Sequence, residues 1–240
     1  MSLKAVLFDF NGVIINDEPL HEQLIEQILL GENLRPQPGE FRKICLGRSD
    51  RVCLKELLTN RGRVVSESYL TELIERKAQA YQKLWREQPD QLPIYDGLEA
   101  LIYQLTSRNI KLAVVTGAIR TEVELVLDST NLAKYFNAII AGDDILTSKP
   151  APDGYLLAVE RLKELYPNTN LQPKDCLAIE DTPAGIQAAK SAGIAVVGVA
   201  NTYPFHMLQR QANWTVDYLR DLEIERVQKV LREKVRFVGS

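Results

Sequence analysis

Ala5-Val6-Leu7-Phe8-Asp9-Phe10-Asn11-Gly12-Val13 is the stretch on which the fold turns. Four apolar residues end in an aspartate, and the chain then meets Asn11-Gly12, a strong turn signal. That pattern predicts a short buried strand with Asp9 at its C-terminal tip. In open α/β sheets, ligands bind at the carboxyl ends of the strands. A carboxylate held there can attack phosphorus and form an aspartyl-phosphate. An aspartate after a strand is more often a turn or capping residue, so the rest of the chain must decide.

Bulk properties narrow the classes. The 240 residues suffice for one large domain or two small ones. A net charge of -3 gives no reason to expect nucleic acid or an anionic membrane as partner. Cys45, Cys53 and Cys176 are odd in number and form no CxxC pair. They read as reduced thiols rather than a disulfide framework or zinc site. Neither a secretory leader nor an apolar run long enough to span a bilayer is evident. The expectation is a cytoplasmic protein, monomeric because no long exposed apolar stripe marks an obligate dimer.

Working outward, Glu18 to Leu30 carries Leu20, Leu24, Ile25, Ile28 and Leu29 at helical spacing, closed by Gly31. A polar, proline-bearing connection follows from Glu32 to Glu40. Ser49 or Asp50 can cap a second helix through Leu58. A third runs from about Ser68 to Glu87, with Leu70, Ile74, Lys77, Tyr81 and Leu84 along one stripe. A lysine on such a stripe snorkels to the rim, here the rim of a cleft. Residues 18–88 are thus helical throughout. From Pro93 the character changes. Asp96 can cap a helix bearing Leu98, Leu101, Ile102 and Leu105. Strands Lys111 to Thr116, Ala138 to Ala141, Cys176 to Asp181 and Ala195 to Val199 then alternate with helices Thr121 to Asp128, Tyr155 to Leu165 and Ala184 to Ala192.

Alternation of that kind implies βαβ units and a parallel sheet, and right-handed crossovers make it a doubly wound α/β core. Residues 1–16 and 93–240 form that core, and residues 17–92 form a helical cap inserted at the tip of the first strand, above Asp9. The connections near Asn16-Asp17 and Pro89 to Pro93 are its hinges. A lid that closes to exclude water is the simplest use for it.

Four strand tips carry groups suited to phosphate chemistry. Besides Asp9 there is Thr116-Gly117, a hydroxyl with a free backbone N–H. Lys149 in Ser148-Lys149-Pro150 can neutralise a phosphate or an adjacent carboxylate. Glu180-Asp181 ends the fourth. With Asp9 they supply the oxygen ligands Mg²⁺ prefers, and a cation among them relieves their repulsion. Each has an ordinary counterpart: a plain turn, a solvated loop charge, the acids of a helix N-terminus. Their joint occurrence at strand ends favours function.

These stretches resemble the haloacid dehalogenase (HAD) superfamily, in particular its phosphatases and β-phosphoglucomutase-like enzymes. The carriers are Asp9-Phe10-Asn11-Gly12-Val13, Thr116-Gly117, Ser148-Lys149-Pro150-Ala151-Pro152-Asp153 and Glu180-Asp181-Thr182-Pro183-Ala184-Gly185-Ile186. The resemblance implies a HAD-like Rossmannoid core with an α-helical cap. It makes Asp9 the nucleophile and first metal ligand, Thr116 and Lys149 the phosphate-binding pair, and Glu180 and Asp181 the distal ligands of Mg²⁺. The backbone carbonyl of Asn11 is a further ligand.

Asn11 is also where the resemblance breaks. Most phosphatases and mutases of the group have a second aspartate there, which gives and takes the proton. Asparagine cannot do so near pH 7, and a loss of about 10²–10⁴-fold is the expectation. Asp17, Glu18 and His21 are the candidates to stand in, and mutase-like members have a histidine at the position of His21. Lys77 falls at a substrate lysine of those members, and Arg48 lies in the loop the family uses for substrate selection. Asp50 falls where the mutases place an arginine, which argues against a true mutase.

The leading expectation is a Mg²⁺-dependent phosphatase of a small phosphorylated metabolite. Alternatives are a phosphoglucomutase-like transferase and a catalytically weak relative that binds a phosphorylated ligand. Halide displacement needs no metal, so Glu180-Asp181 opposes it.

Overall fold

The computed structural model describes residues 3–236. Its centre is a parallel sheet of β1 (Ala5–Phe8), β2 (Lys111–Val115), β3 (Ala138–Ile140), β4 (Cys176–Glu180), β5 (Ala195–Val199) and β6 (Trp214–Val216). The spatial order is β3-β2-β1-β4-β5-β6. From β1 the chain winds outward through β2 to β3, then returns to β4 on the other side of β1. That reversal opens a crevice at the C-terminal ends of β1 and β4, the usual ligand position in such sheets. Phe8 pairs with both Val114 and Ile179, which sets Asp9, Thr116 and Glu180 close to one level.

Both faces of the sheet are covered, so its strands read as continuous apolar runs. Val6, Phe8, Leu112, Val114, Leu177 and Ile179 pack on one side. Ala5, Leu7, Ala113, Val115, Cys176 and Ala178 pack on the other. The period of two is that of a pleated strand.

Helices α1 (Glu18–Gly31), α2 (Glu40–Ile44), α3 (Asp50–Asn60) and α4 (Glu67–Glu87) intervene between β1 and the rest. They have a core of their own, with Ile25, Leu29, Leu54, Leu57, Leu58 and Leu73 in it. Their connections to the sheet lie side by side: Asn16 N–H donates to the Pro93 carbonyl at 2.8 Å, and Tyr95 N–H to Ile14 at 3.1 Å. Helices α5 (Leu98–Thr106), α6 (Arg120–Ser129), α7 (Asp153–Leu165), α8 (Pro183–Ser191), α9 (Phe205–Leu208) and α10 (Ile224–Arg236) complete the fold. Among the described residues, no helix is long and apolar enough to cross a membrane.

Three expectations change. Cys45 and Cys53 are joined in a disulfide with Cα atoms 4.8 Å apart, and only Cys176 is a free buried thiol among the described residues. The short turn between α2 and α3 folds the two cysteines together, which spacing along the chain does not reveal. Asp96 does not cap α5, whose N-cap is Gly97 in the left-handed region; Asp96 instead faces Arg220 at 3.1 Å. The sheet also gains β6, too short at three residues to carry a periodic signal.

The pairing is checked by counting thiols in denaturant. One equivalent should react with a thiol-specific dye before reduction, and two more after it. Three reactive thiols in the untreated protein overturn the pairing.

Candidate active site

Asp9 stands where β1 ends, almost fully buried at 4% exposure. The Phe10 N–H donates to its Oδ1 at 2.7 Å, which fixes the carboxylate as the chain turns. Gly12 makes the turn with φ at 76°, and a Cβ there would overlap the Asp181 carboxylate. Left-handed backbone and lack of room together demand glycine.

Lys149 lies between β1 and β4. Its Nζ is 2.8 Å from Asp9 Oδ2 and 2.6 Å from Glu180 Oε1. Burial alone would lower the ammonium's affinity for its proton; Asp9 and Glu180 reverse that and hold it above its ordinary value. Tyr155 on α7 donates its hydroxyl to the same Glu180 oxygen at 2.5 Å. A tyrosine in this role leaves no mark on its sequence neighbourhood, since Tyr155 reads simply as a core residue of α7.

One carboxylate oxygen from each of Asp9, Glu180 and Asp181 falls within 4.8 Å of the others. Glu180 Oε2 and both oxygens of Asp181 are buried without a hydrogen-bond partner. Burial and the neighbouring Asp9 push the Glu180 carboxyl up to about 8, against the pull of Lys149. Burial, with Asp9 and Glu180 alongside, holds Asp181 well above the usual carboxylate range. Unpartnered acid oxygens at such cost are what a hard cation with oxygen ligands relieves, so the donor set fits a metal of that kind.

Thr116 and Gly117 follow β2 and line the same cavity. The Thr116 Oγ1 accepts from the Ala118 N–H at 3.0 Å, leaving its own hydrogen to donate. Gly117 packs under the Arg48 carbonyl, where a Cβ would come within 2.8 Å. Ser49 N–H donates to Ser148 Oγ at 2.8 Å. The helices between β1 and β2 are therefore seated directly on the strand tips.

Asn11 belongs to a buried polar group with Asp17, His21 and Tyr81. Its Nδ2 is 2.9 Å from Asp17 Oδ1 and 2.9 Å from His21 Nε2. His21 Nε2 is 3.2 Å from Asp17 Oδ2, which also accepts from the Tyr81 hydroxyl at 2.6 Å. Protonated, that nitrogen donates to Asp17; deprotonated, it accepts from Asn11. Burial and Lys77 push the imidazole down, but Asp17 outweighs them and its pKa is raised. Asp17 is lowered despite burial, by His21 and the hydrogen bonds of its neighbours. Glu18, lining the cavity beside His21, is raised to about 7, chiefly by burial.

Lys77, expected at the rim of a cleft, lines the cavity and is buried there. It is 2% exposed, with Nζ 2.6 Å from Asp50 Oδ2 and 3.3 Å from Glu122 Oε1. Glu122 was not legible beforehand, because an acid in the first turn of α6 reads as an ordinary dipole partner. Arg48 lines the cavity with its guanidinium 2.7 Å from Glu56.

A family model described as haloacid dehalogenase-like hydrolase matches residues 3–193. The chain is 29% identical over 204 residues to a phosphorylated carbohydrates phosphatase of Thermotoga maritima, covering 83% of this chain and 87% of that one. It is 31% identical over 210 residues to the β-phosphoglucomutase of Bacillus subtilis, covering 84% and 85% respectively. The crystal structure of β-phosphoglucomutase from Clostridium difficile superposes with a TM-score of 0.83 at 25% identity, covering 97% of this chain and 99% of that one.

The raised groups give a testable pH dependence. Glu180, Asp181 and His21 all hold protons more tightly folded than unfolded. Their contribution is present below the unfolded pKa values and is lost as pH rises through the folded ones. In chelator, the melting temperature should fall from about pH 5 to about pH 8, and added Mg²⁺ should raise it most at the upper end. A melting temperature that climbs across that window contradicts the metal-free electrostatics described above.

Proposed function

The chain belongs to the haloacid dehalogenase-like hydrolases, and we propose that it is a Mg²⁺-dependent phosphatase of a small phosphorylated metabolite, working through an aspartyl-phosphate on Asp9. The observation that carries this reading is the buried placement of Asp9 with Lys149 at 2.8 Å and an unpartnered acid cluster beside it. Residues 17–92 serve as a cap and the remainder as the core.

Asp9 attacks the phosphorus of the ester, and the bond from phosphorus to the leaving oxygen breaks. Lys149 and the Thr116 hydroxyl, with the N–H of Gly117, hold the phosphoryl oxygens. Asp9, Glu180, Asp181 and the backbone carbonyl of Asn11 would hold Mg²⁺, which screens the repulsion between carboxylate and phosphate and orients the transferring group. The cap excludes water during transfer.

Asn11 cannot carry the proton that the leaving oxygen needs. Glu18 is the best-placed substitute: it lines the cavity, and a carboxyl titrating at about 7 both gives and takes a proton near neutrality. It protonates the leaving oxygen and then accepts a proton from the water that hydrolyses the aspartyl-phosphate. His21 and Asp17 are bound to one another and to Asn11, which suits them to positioning. A catalytically weak relative that binds a phosphorylated ligand is the second reading, and Asn11 is the residue that favours it.

Hydrolysis of p-nitrophenyl phosphate tests the scheme, because its leaving group needs little proton assistance. Turnover should require Mg²⁺ and vanish in Asp9→Asn. On an alkyl phosphate, Asn11→Asp should raise turnover, and most when Glu18→Gln is also present, where the gain should reach about 10²–10⁴-fold. Glu18→Gln should depress alkyl phosphate hydrolysis far more than p-nitrophenyl phosphate hydrolysis. An absence of turnover in both the natural sequence and Asn11→Asp moves the assignment to the binding relative.

A further inference from the structure

Arg48, Lys77 and Lys149 are the lysine and arginine side chains lining the cavity, and each already faces a carboxylate. Lys149 is shared by Asp9 and Glu180. Arg48 is engaged by Glu56 and by the Ile44 carbonyl at 3.0 Å. Lys77 has two acids, Asp50 and Glu122, so that the cluster as a whole is neutral to negative. His21, when protonated, is paired with Asp17. Glu18, which carries a proton in the state that donates it, lines the same wall and adds no positive charge. Beyond Lys149, then, the lining residues offer no uncommitted positive charge.

Building on the phosphatase reading, we propose that the site accepts monophosphate esters whose leaving portion is uncharged and hydroxylated. Asp50 is the specificity-determining residue that turns away a second anionic group. A second phosphate or a carboxylate at the far wall meets Lys77 already faced by two acids, Asp50 and Glu122, and the surplus acid of that trio repels a further anion strongly where water is scarce. Hydroxyl groups meet no such penalty: they donate to the carboxylates and accept from ammonium and guanidinium.

Asp50 rather than Glu122 is decisive because of where each resides. Asp50 begins α3 and Lys77 lies on α4, both in the helical insertion, whereas Glu122 lies on α6 against the sheet. The cavity is only about 40 Å³, so a leaving portion enters when the insertion lifts. Lifting separates Lys77 from Glu122, yet Asp50 travels with the lysine and keeps it neutralised. The rejection of anions therefore holds in both positions of the insertion.

The experiment compares fructose 1-phosphate with fructose 1,6-bisphosphate and 2-phosphoglycolate, on the natural sequence and on Asp50→Asn, with Mg²⁺ present. Fructose 1-phosphate should lead both others in kcat/KM by about tenfold or more, and Asp50→Asn should shrink that lead by about tenfold, mainly through KM. Equal or reversed preference in the natural sequence, or an unchanged ratio in Asp50→Asn, overturns the proposal. p-Nitrophenyl phosphate reports the phosphatase reading separately. If none of the compounds is hydrolysed, that reading fails. The same preference is then read as Kd by calorimetry on Asp9→Asn protein, and the same two criteria decide. Asp50→Ser serves if Asp50→Asn does not fold.

Discussion

Everything at the crevice depends on one buried cation, Lys149, held between Asp9 and Glu180. Three acids meet there at the ends of β1 and β4, and water reaches them poorly. Breaking a buried pair by removing one partner typically costs about 3–5 kcal/mol, because the charge left behind has no counterpart. Lys149 therefore makes the acid cluster tolerable before any other cation arrives, and in the proposed mechanism the same ammonium holds a phosphoryl oxygen. The same geometry that stabilises the fold is poised for anion recognition.

The sheet supplies the precision. Parallel pairing of β1 with both β2 and β4 fixes the levels of Asp9, Thr116 and Glu180 through backbone hydrogen bonds. Strand-borne groups are held more tightly than loop-borne ones. Selectivity is assigned to a different layer. The residues proposed to bear on the leaving portion, Asp50 and Lys77 on helices and Arg48 in the turn before α3, belong to the insertion, which has an apolar cluster of its own. The insertion is not packed apart from the sheet, however: Leu24, Tyr81 and Trp85 join the apolar cluster that covers one face of it.

Much of this was legible in the sequence, for identifiable reasons. Short apolar runs ending in Asp9, Thr116 and Glu180 announce a parallel sheet, since strands covered on both faces cannot alternate in polarity. The acids were readable because they sit at the ends of such runs, and Lys149 because of the Ser148-Lys149-Pro150 stretch in the connection after β3. Tyr155 and Glu122 were not: their roles arise when elements distant in sequence pack together, and each residue is locally unremarkable. The stripe of α4 brings Lys77 to the cavity, but it does not show Asp50 and Glu122, the acids that compensate its burial. The pairing of Cys45 with Cys53 depends on a turn between α2 and α3 that leaves no periodic signature.

The side-by-side connections that lead into and out of the helical insertion have a further consequence. With its two ends pinned together by hydrogen bonds, the insertion meets the sheet as a plug meets a socket. The entropy of closing a loop grows slowly with its length, by about 0.6 kcal/mol per doubling. The sheet therefore has little stake in how long the intervening segment is. Such a junction lets one scaffold exchange its upper half and keep its lower half, so that a single reactive centre can be refitted for different molecules.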